Sequence, residues 1–178
     1  YTNTTNSSSQ GMSGGYDLTG HTITGGVNGS KGNSSSSSVN YDNTIINAGG
    51  TFQLTTKEDA EFKGVNVSVD KVDFEIGGNL LVESLQNEYK LDGNNKSGNI
   101  NYGHTEQSNG ESYKSPSGGF SYGESKGDSK WVNDQTSIIA ENGGRIKVEE
   151  TLTNKGAVIG TLNEKLEIET KELVTEDL

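Results

Sequence analysis

Residues 63 to 82 read Lys63-Gly64-Val65-Asn66-Val67-Ser68-Val69-Asp70-Lys71-Val72-Asp73-Phe74-Glu75-Ile76-Gly77-Gly78-Asn79-Leu80-Leu81-Val82. Apolar and polar side chains alternate through three short runs. A two-residue period puts every second side chain on the same face of a β-strand. The apolar members are largely β-branched or aromatic, as strand surfaces prefer. Phe52-Gln53-Leu54 upstream and Ile146-Lys147-Val148, Leu166-Glu167-Ile168 and Leu173-Val174 downstream follow the same rule. The strand centres fall about every ten residues, with Gly-Gly, Lys-Gly or Asp-Lys between them. Helical spacing is nearly absent; the acidic tail from Leu162 fits a strand template better than a helical one.

The pattern occurs twice. Ile45-Ile46 and Gly49-Gly50 return as Ile138-Ile139 and Gly143-Gly144, at offsets of 93 (45 to 138) and 94 (49 to 143). Lys63-Gly64-Val65 returns as Lys155-Gly156-Ala157, and Phe74-Glu75-Ile76 as Leu166-Glu167-Ile168, both at an offset of 92. A duplicated unit points to a stacked array rather than a single catalytic centre. Each copy joins an arm rich in Gly, Ser, Asn and Tyr to a set of short strands. The first repeat unit is 1–85, with its arm at about 1–40 and strands at 41–85. The second is 86–178, with its arm at about 87–130 and strands at 131–178.

Apolar residues make up 28% of the 178 residues, against the roughly 45–50% of ordinary globular chains counted with Gly. With 25 Gly and long Ser/Asn tracts, a large spherical core is out of reach. A thin column buried between neighbouring units remains possible. A sandwich would need Asn-Gly type hairpin turns between successive strands; the in-frame repeat argues instead for like stacked on like. The expected fold is all-β, a parallel β-helix solenoid with projecting Gly/Ser-rich hairpin arms. In the second arm Ile100-Asn101-Tyr102 and Phe120-Ser121-Tyr122 each place two apolar side chains on one face. They predict a long hairpin with a polar loop between Thr105 and Gly118. Tyr16, Leu18 and Ile23 are a weaker version in the first arm.

Net charge is −11, which opposes nucleic acid and anionic lipid. The chain has no cysteine, excluding disulfides and thiolate metal sites. No run approaches the ~20 apolar residues of a membrane-spanning helix. The chain begins at Tyr1 without an initiator Met or a charged-then-apolar leader, and is expected to be a piece of something longer.

The order Lys63 to Val72, then Gly77-Gly78-Asn79-Leu80-Leu81-Val82-Glu83-Ser84-Leu85-Gln86, closely resembles the haemagglutinin repeats of filamentous haemagglutinin-like exoproteins. These are exported by two-partner secretion in Gram-negative bacteria and include contact-dependent growth-inhibition toxin carriers. The Ser-rich arm at Ser34–Ser38 ahead of Gly49-Gly50 is similar too. The resemblance implies a right-handed β-helix within a long, secreted cell-surface filament, and a block of repeats associated with the target cell's outer membrane. The family's Asn-Pro-Asn export motif and Val-Glu-Asn-Asn toxin junction are missing, so an interior shaft is expected.

Catalytic motifs are weak. Gly11-Met12-Ser13-Gly14-Gly15 matches the serine-hydrolase pattern, which works only on a strand-to-helix elbow. His21 and His104 both sit in Gly-His-Thr, at corresponding arm positions by the repeat; a metal site needs three or four converging ligands. Glu58-Asp59, Glu149-Glu150 and Glu176-Asp177 are paired acids, but most acids, such as Asp73, Glu75, Glu167 and Glu169, alternate outward along strands. Asn3, Asn6, Asn28, Asn33, Asn66 and Asn95 lie in sequons, most of which the Asn/Ser content supplies by chance. No catalytic, cofactor or metal residue is expected, and neither nucleic acid nor a small-molecule substrate. The expected contact surface is the arm pair, through Tyr16, Leu18, Ile100, Tyr102, Phe120 and Tyr122. Its partners are a target-cell surface or outer membrane and neighbouring repeats of the same filament, and its work is adhesion or delivery of a C-terminal toxin. The alternatives are a β-helix polysaccharide lyase, which needs acids and bases converging in one groove, and a passive spacer.

Overall fold

The computed structural model describes residues 1–178 and is all-β, without a helix. Its strands are β1 (Thr2–Asp17), β2 (Thr22–Val39), β3 (Thr44–Thr56), β4 (Ala60–Lys63), β5 (Val65–Ile76), β6 (Leu80–Glu83), β7 (Asn87–Glu106), β8 (Ser112–Trp131), β9 (Ser137–Ala140), β10 (Gly144–Lys155), β11 (Val158–Thr161) and β12 (Leu166–Glu176). They group into two compact units, one of residues Tyr1–Ser38 and Tyr89–Ser129, the other of Val39–Glu88 and Lys130–Leu178.

In the second unit every strand pairing is parallel. Three columns of four residues run through the ladders. They are Ile46, Val67, Ile138 and Ile159; Leu54, Phe74, Ile146 and Ile168; and Ala60, Leu80, Leu152 and Leu173. The alternation therefore does what the sequence requires of it, since each column collects the apolar side of the pleat. The two middle members of each column are essentially sealed from solvent, while Ile168 and Leu173 at one end remain 42% and 62% exposed. Phe74 is the centre of the core. Its ring packs edge-on to Phe52 with centroids 5.3 Å apart and parallel to Phe62 at 5.7 Å.

The segments between columns also stack. Gly64 and Gly156 take φ of +60° and +58°, the left-handed region open to glycine, so the repeated Lys-Gly pair marks the same turn twice. Beside it, the Glu83 carboxylate forms ion pairs with Lys155 Nζ at 2.9 Å and Lys63 Nζ at 3.9 Å. Asp59 accepts both nitrogens of Asn79, whose own Oδ1 accepts Thr151 N at 3.2 Å. Beneath these turns the Thr136 hydroxyl donates to Glu83 O at 2.7 Å and accepts Gly64 N at 2.9 Å. Thr136 N donates to Ser84 Oγ at 2.9 Å, and Ser84 passes on a bond to Gly156 O at 2.7 Å. Corners that look varied in sequence are thus joined by side-chain ladders. The all-β reading and the stacking of like on like hold; the ladders do not by themselves close into a coil.

The first unit is a four-stranded sheet in the order β1-β2-β7-β8. β1 and β2 form a hairpin in unbroken antiparallel register. Thr22 bonds Thr105 across β2 and β7, Glu106 N donates to His21 O, and Asn101 lies over Gly26 and Asn94 beside Gly32. Rising numbers meet falling ones, so this pair is antiparallel too. Ser97 bonds Ser121 and Ser115 bonds Gly103, which sets β7 against β8 in the same way. Two expectations need correction. The second hairpin turns at residues 107–111, so Ser115-Pro116-Ser117-Gly118 is strand rather than loop. The histidines are not equivalent either, for His21 occupies the β1–β2 turn with φ of +47° while His104 lies within β7.

Candidate functional site

The two faces of the arm sheet are chemically opposite. Residues directly across an antiparallel pair share a face, and neighbours along a strand alternate. One face therefore collects the odd-numbered residues of β1, β7 and β8 and the even-numbered residues of β2. It is built mainly from Ser, Thr, Asn and Gly, with Tyr89, Leu91, Tyr113 and Trp131 toward the strand ends, and is bonded across strands at Ser9–Ser30 (2.7 Å), Ser97–Ser121 (2.6 Å) and Thr22–Thr105 (2.9 Å). Hydroxyl pairs of this kind are a normal cross-strand stabiliser.

The other face carries Met12 and Tyr16 of β1, Ile23 and Val27 of β2, Ile100 and Tyr102 of β7, and Phe120 and Tyr122 of β8. Met12 is 88% exposed, Phe120 77% and Ile100 68%. Met12, Val27 and Ile100 line a shallow depression together with Gly29 and Gly98. Lys96 Nζ stands 5.4 Å from the centre of the Tyr122 ring, a cation–π contact. The Tyr122 hydroxyl donates to Glu124, a hydrogen bond that holds the phenol above its usual pKa and the carboxyl below its own. Lys126 lies 3.7 Å from the same carboxylate. The stripe is apolar in the middle and zwitterionic at the β8 end.

Of the residues singled out from sequence, Tyr16, Ile100, Tyr102, Phe120 and Tyr122 lie on this face. Leu18 does not; it sits in the turn after β1, where Thr19 N and Gly20 N donate to the Asp17 carboxylate at 3.0 and 3.2 Å and lower its pKa. Sequence reasoning missed Met12 and Val27. The signal for Val27 was available, because Gly25-Gly26-Val27 returns as Gly118-Gly119-Phe120 and Ser30-Lys31-Gly32 as Ser125-Lys126-Gly127. The arm's second strand thus repeats at an offset of 93 to 95 residues.

Catalytic geometry is poor elsewhere. Gly11-Met12-Ser13-Gly14-Gly15 runs straight through β1, with no elbow to expose Ser13. In the parallel unit, acids and bases meet in a groove lined by Lys57, Glu75, Lys147 and Glu149. There Lys147 Nζ lies 2.5 Å from Glu149, whose hydrogen bond raises the lysine pKa. A lyase base needs the opposite shift, toward neutrality.

A family model described as Hemagglutinin repeat matches residues 1–99, more than half of the chain. A protein named Toxin CdiA from Escherichia coli is 34% identical over 79 residues, which is 44% of this chain and 2% of that protein. A protein named tRNA nuclease CdiA from Yersinia mollaretii is 35% identical over 122 residues, 65% of this chain and 4% of that protein. The chain spans a few per cent of the length of either relative. No solved structure matches it.

Proposed function

Because the chain belongs to the hemagglutinin-repeat family, we propose that it is a non-catalytic interior segment of a large, secreted cell-surface filament of a Gram-negative bacterium. The parallel unit is the shaft, read as coils of a right-handed β-helix. The arm sheet is the contact surface. Each repeat of about 93 residues contributes one hairpin and two tiers of the shaft, in keeping with a solenoid built by nearest-neighbour stacking.

The observation that carries this reading is the exposed aromatic and aliphatic stripe from Met12 to Tyr122. A contiguous apolar patch rimmed by polar residues marks an interaction surface. Its partner is the surface of a target cell, where aromatic side chains on one face of a strand suit the bilayer boundary. In a toxin carrier, the contact would hold the filament while its C-terminal domain is delivered.

Replacing Phe120 and Tyr122 together by Asp should abolish association with target cells and leave the far-UV β signal intact. Undiminished association would refute the assignment of the contact to this face. A lyase would release unsaturated products from polyuronates, and a passive spacer would tolerate deletion of 39–130 without loss of adhesion.

A further inference from the structure

β2 and β7 are the inner strands of the arm sheet, each paired on both sides. The Thr22–Thr105 bond fixes their antiparallel register. It sets Val27 opposite Ile100, Gly29 opposite Gly98 and Lys31 opposite Lys96, all on the apolar face. The two glycines are the floor of a hollow in that face. Met12, Val27 and Ile100 wall it toward the hairpin turns. Lys31 and Lys96 stand on the opposite side, with Phe120 at the β8 end.

Nothing in the fold requires glycine at these two positions. On the polar face a Cβ at Gly26 or Gly103 would collide with Asn101 or Ser115. At Gly29 and Gly98 the nearest atom to such a Cβ is a carbonyl oxygen at 3.8 Å, and neither residue has a positive φ. Glycine weakens the interior of a strand and often marks a place where a ligand approaches closely.

The two lysines are available to an anion. Neither is ion-paired; Lys96 leans only on the Tyr122 ring. Glu124, the next acid along β8, is held by the Tyr122 hydroxyl and by Lys126. Neighbouring strands stand about 5 Å apart, so both ammonium groups reach one phosphate. The arm unit carries five lysines against six acids, so the net charge of −11 lies almost wholly in the parallel unit. About 13 Å of strand separates Lys31 from Val27. Charge and apolar wall therefore meet the two ends of one amphiphilic molecule.

We propose that the hollow binds a lipid, with its acyl chain over Gly29 and Gly98 against Met12, Val27 and Ile100, and its phosphate head between Lys31 and Lys96. The proposal rests on the reading of this face as a contact surface and names the class of molecule contacted.

Isothermal titration of the 178-residue chain with monomeric dodecyl phosphate tests it. Dodecyl maltoside has the same chain and an uncharged head, and should bind about tenfold more weakly for want of two exposed charge contacts. Inorganic phosphate alone should not bind. Lys31→Gln with Lys96→Gln should erase the preference for the phosphate head. Gly29→Leu with Gly98→Leu should fill the floor and abolish binding, whereas unspecific adsorption to an apolar face would gain from two added leucines. If the leucines disturb the sheet by far-UV circular dichroism, the glutamine variant decides alone. Equal affinity for the two amphiphiles overturns the proposal, as does binding that persists or tightens in the folded leucine variant. A wild type that takes up no dodecyl phosphate also overturns it. Should Phe120→Asp with Tyr122→Asp then still abolish target-cell association, the contact face stands and the lipid alone is refuted.

Discussion

Phe74 and Phe120 are the same residue at the same pleat period, and replacing each by Ala should separate the two units energetically. Phe74 has no exposed surface and touches two further rings, Phe52 and Phe62. Truncating a fully buried Phe costs about 3–5 kcal/mol, and aromatic pairs of this geometry contribute about 0.5–1.5 kcal/mol beyond their area. With two such pairs broken, Phe74→Ala should fall in the upper half of that range. Phe120 is 77% exposed, and Phe120→Ala should change stability by no more than about 0.5 kcal/mol. Urea unfolding followed by far-UV circular dichroism reads both, through the shift in midpoint at constant slope. A loss below about 1.5 kcal/mol for Phe74→Ala, well under the range for a sealed aromatic, would refute the placement of the core. A comparable loss for Phe120→Ala would show that the arm face is covered in solution.

Thr136→Val keeps the shape of a buried side chain but removes the hydroxyl that donates to Glu83 O and accepts Gly64 N, leaving those two groups only their 3.2 Å bond to each other. Each hydrogen bond lost costs about 0.5–1.5 kcal/mol, so the urea midpoint should fall, whereas Thr136→Ser should nearly restore it. The hydrogen bond from Lys147, aided by its charge, holds the Glu149 carboxyl below its usual pKa. A depressed folded-state pKa contributes stability that is complete above the unfolded pKa and is lost as pH falls through the folded value. Proton NMR titration should therefore place Glu149 below the usual carboxylate range, and Lys147→Met should move it back up; no movement would remove the ion pair as the cause.

The shaft was legible because its information is local. Alternation at Val65 to Val82 dictates which side chains point inward, and the offset of about 92 residues between copies announces stacking. What escaped were the terms that depend on pairing. Nothing in Ser84 or Thr136 taken alone marks a buried polar bridge, because its partners Gly64, Glu83 and Gly156 lie far away in sequence. Within the arm, Ser115-Pro116-Ser117-Gly118 has loop composition but becomes strand, since an edge strand tolerates proline where its N–H would point outward. Leu18 alternates correctly with Tyr16, yet the Asp17 carboxylate captures two backbone N–H groups and turns the chain one residue too early for Leu18 to stay on the face. Local hydrogen bonding by Asp competes with strand extension in this way.

The same two-residue period has different consequences in the two units, and the difference explains why the arm varies. In the shaft an inward residue fills volume between tiers, so Phe74 and Ile146 are bound by close packing on every side. In the arm neither face of the sheet is packed against another layer of its own unit. Its order comes from backbone ladders and from hydroxyl pairs such as Ser9–Ser30 and Ser97–Ser121 on the polar face. The residues of the apolar face contribute little to that order and are free to change at small cost to folding. Val27 and Phe120 illustrate it, since they occupy the same place in the repeat and differ by an aromatic ring. A surface whose identity is uncoupled from the stability of its scaffold can be altered to suit a new partner while the ladders beneath it stay the same.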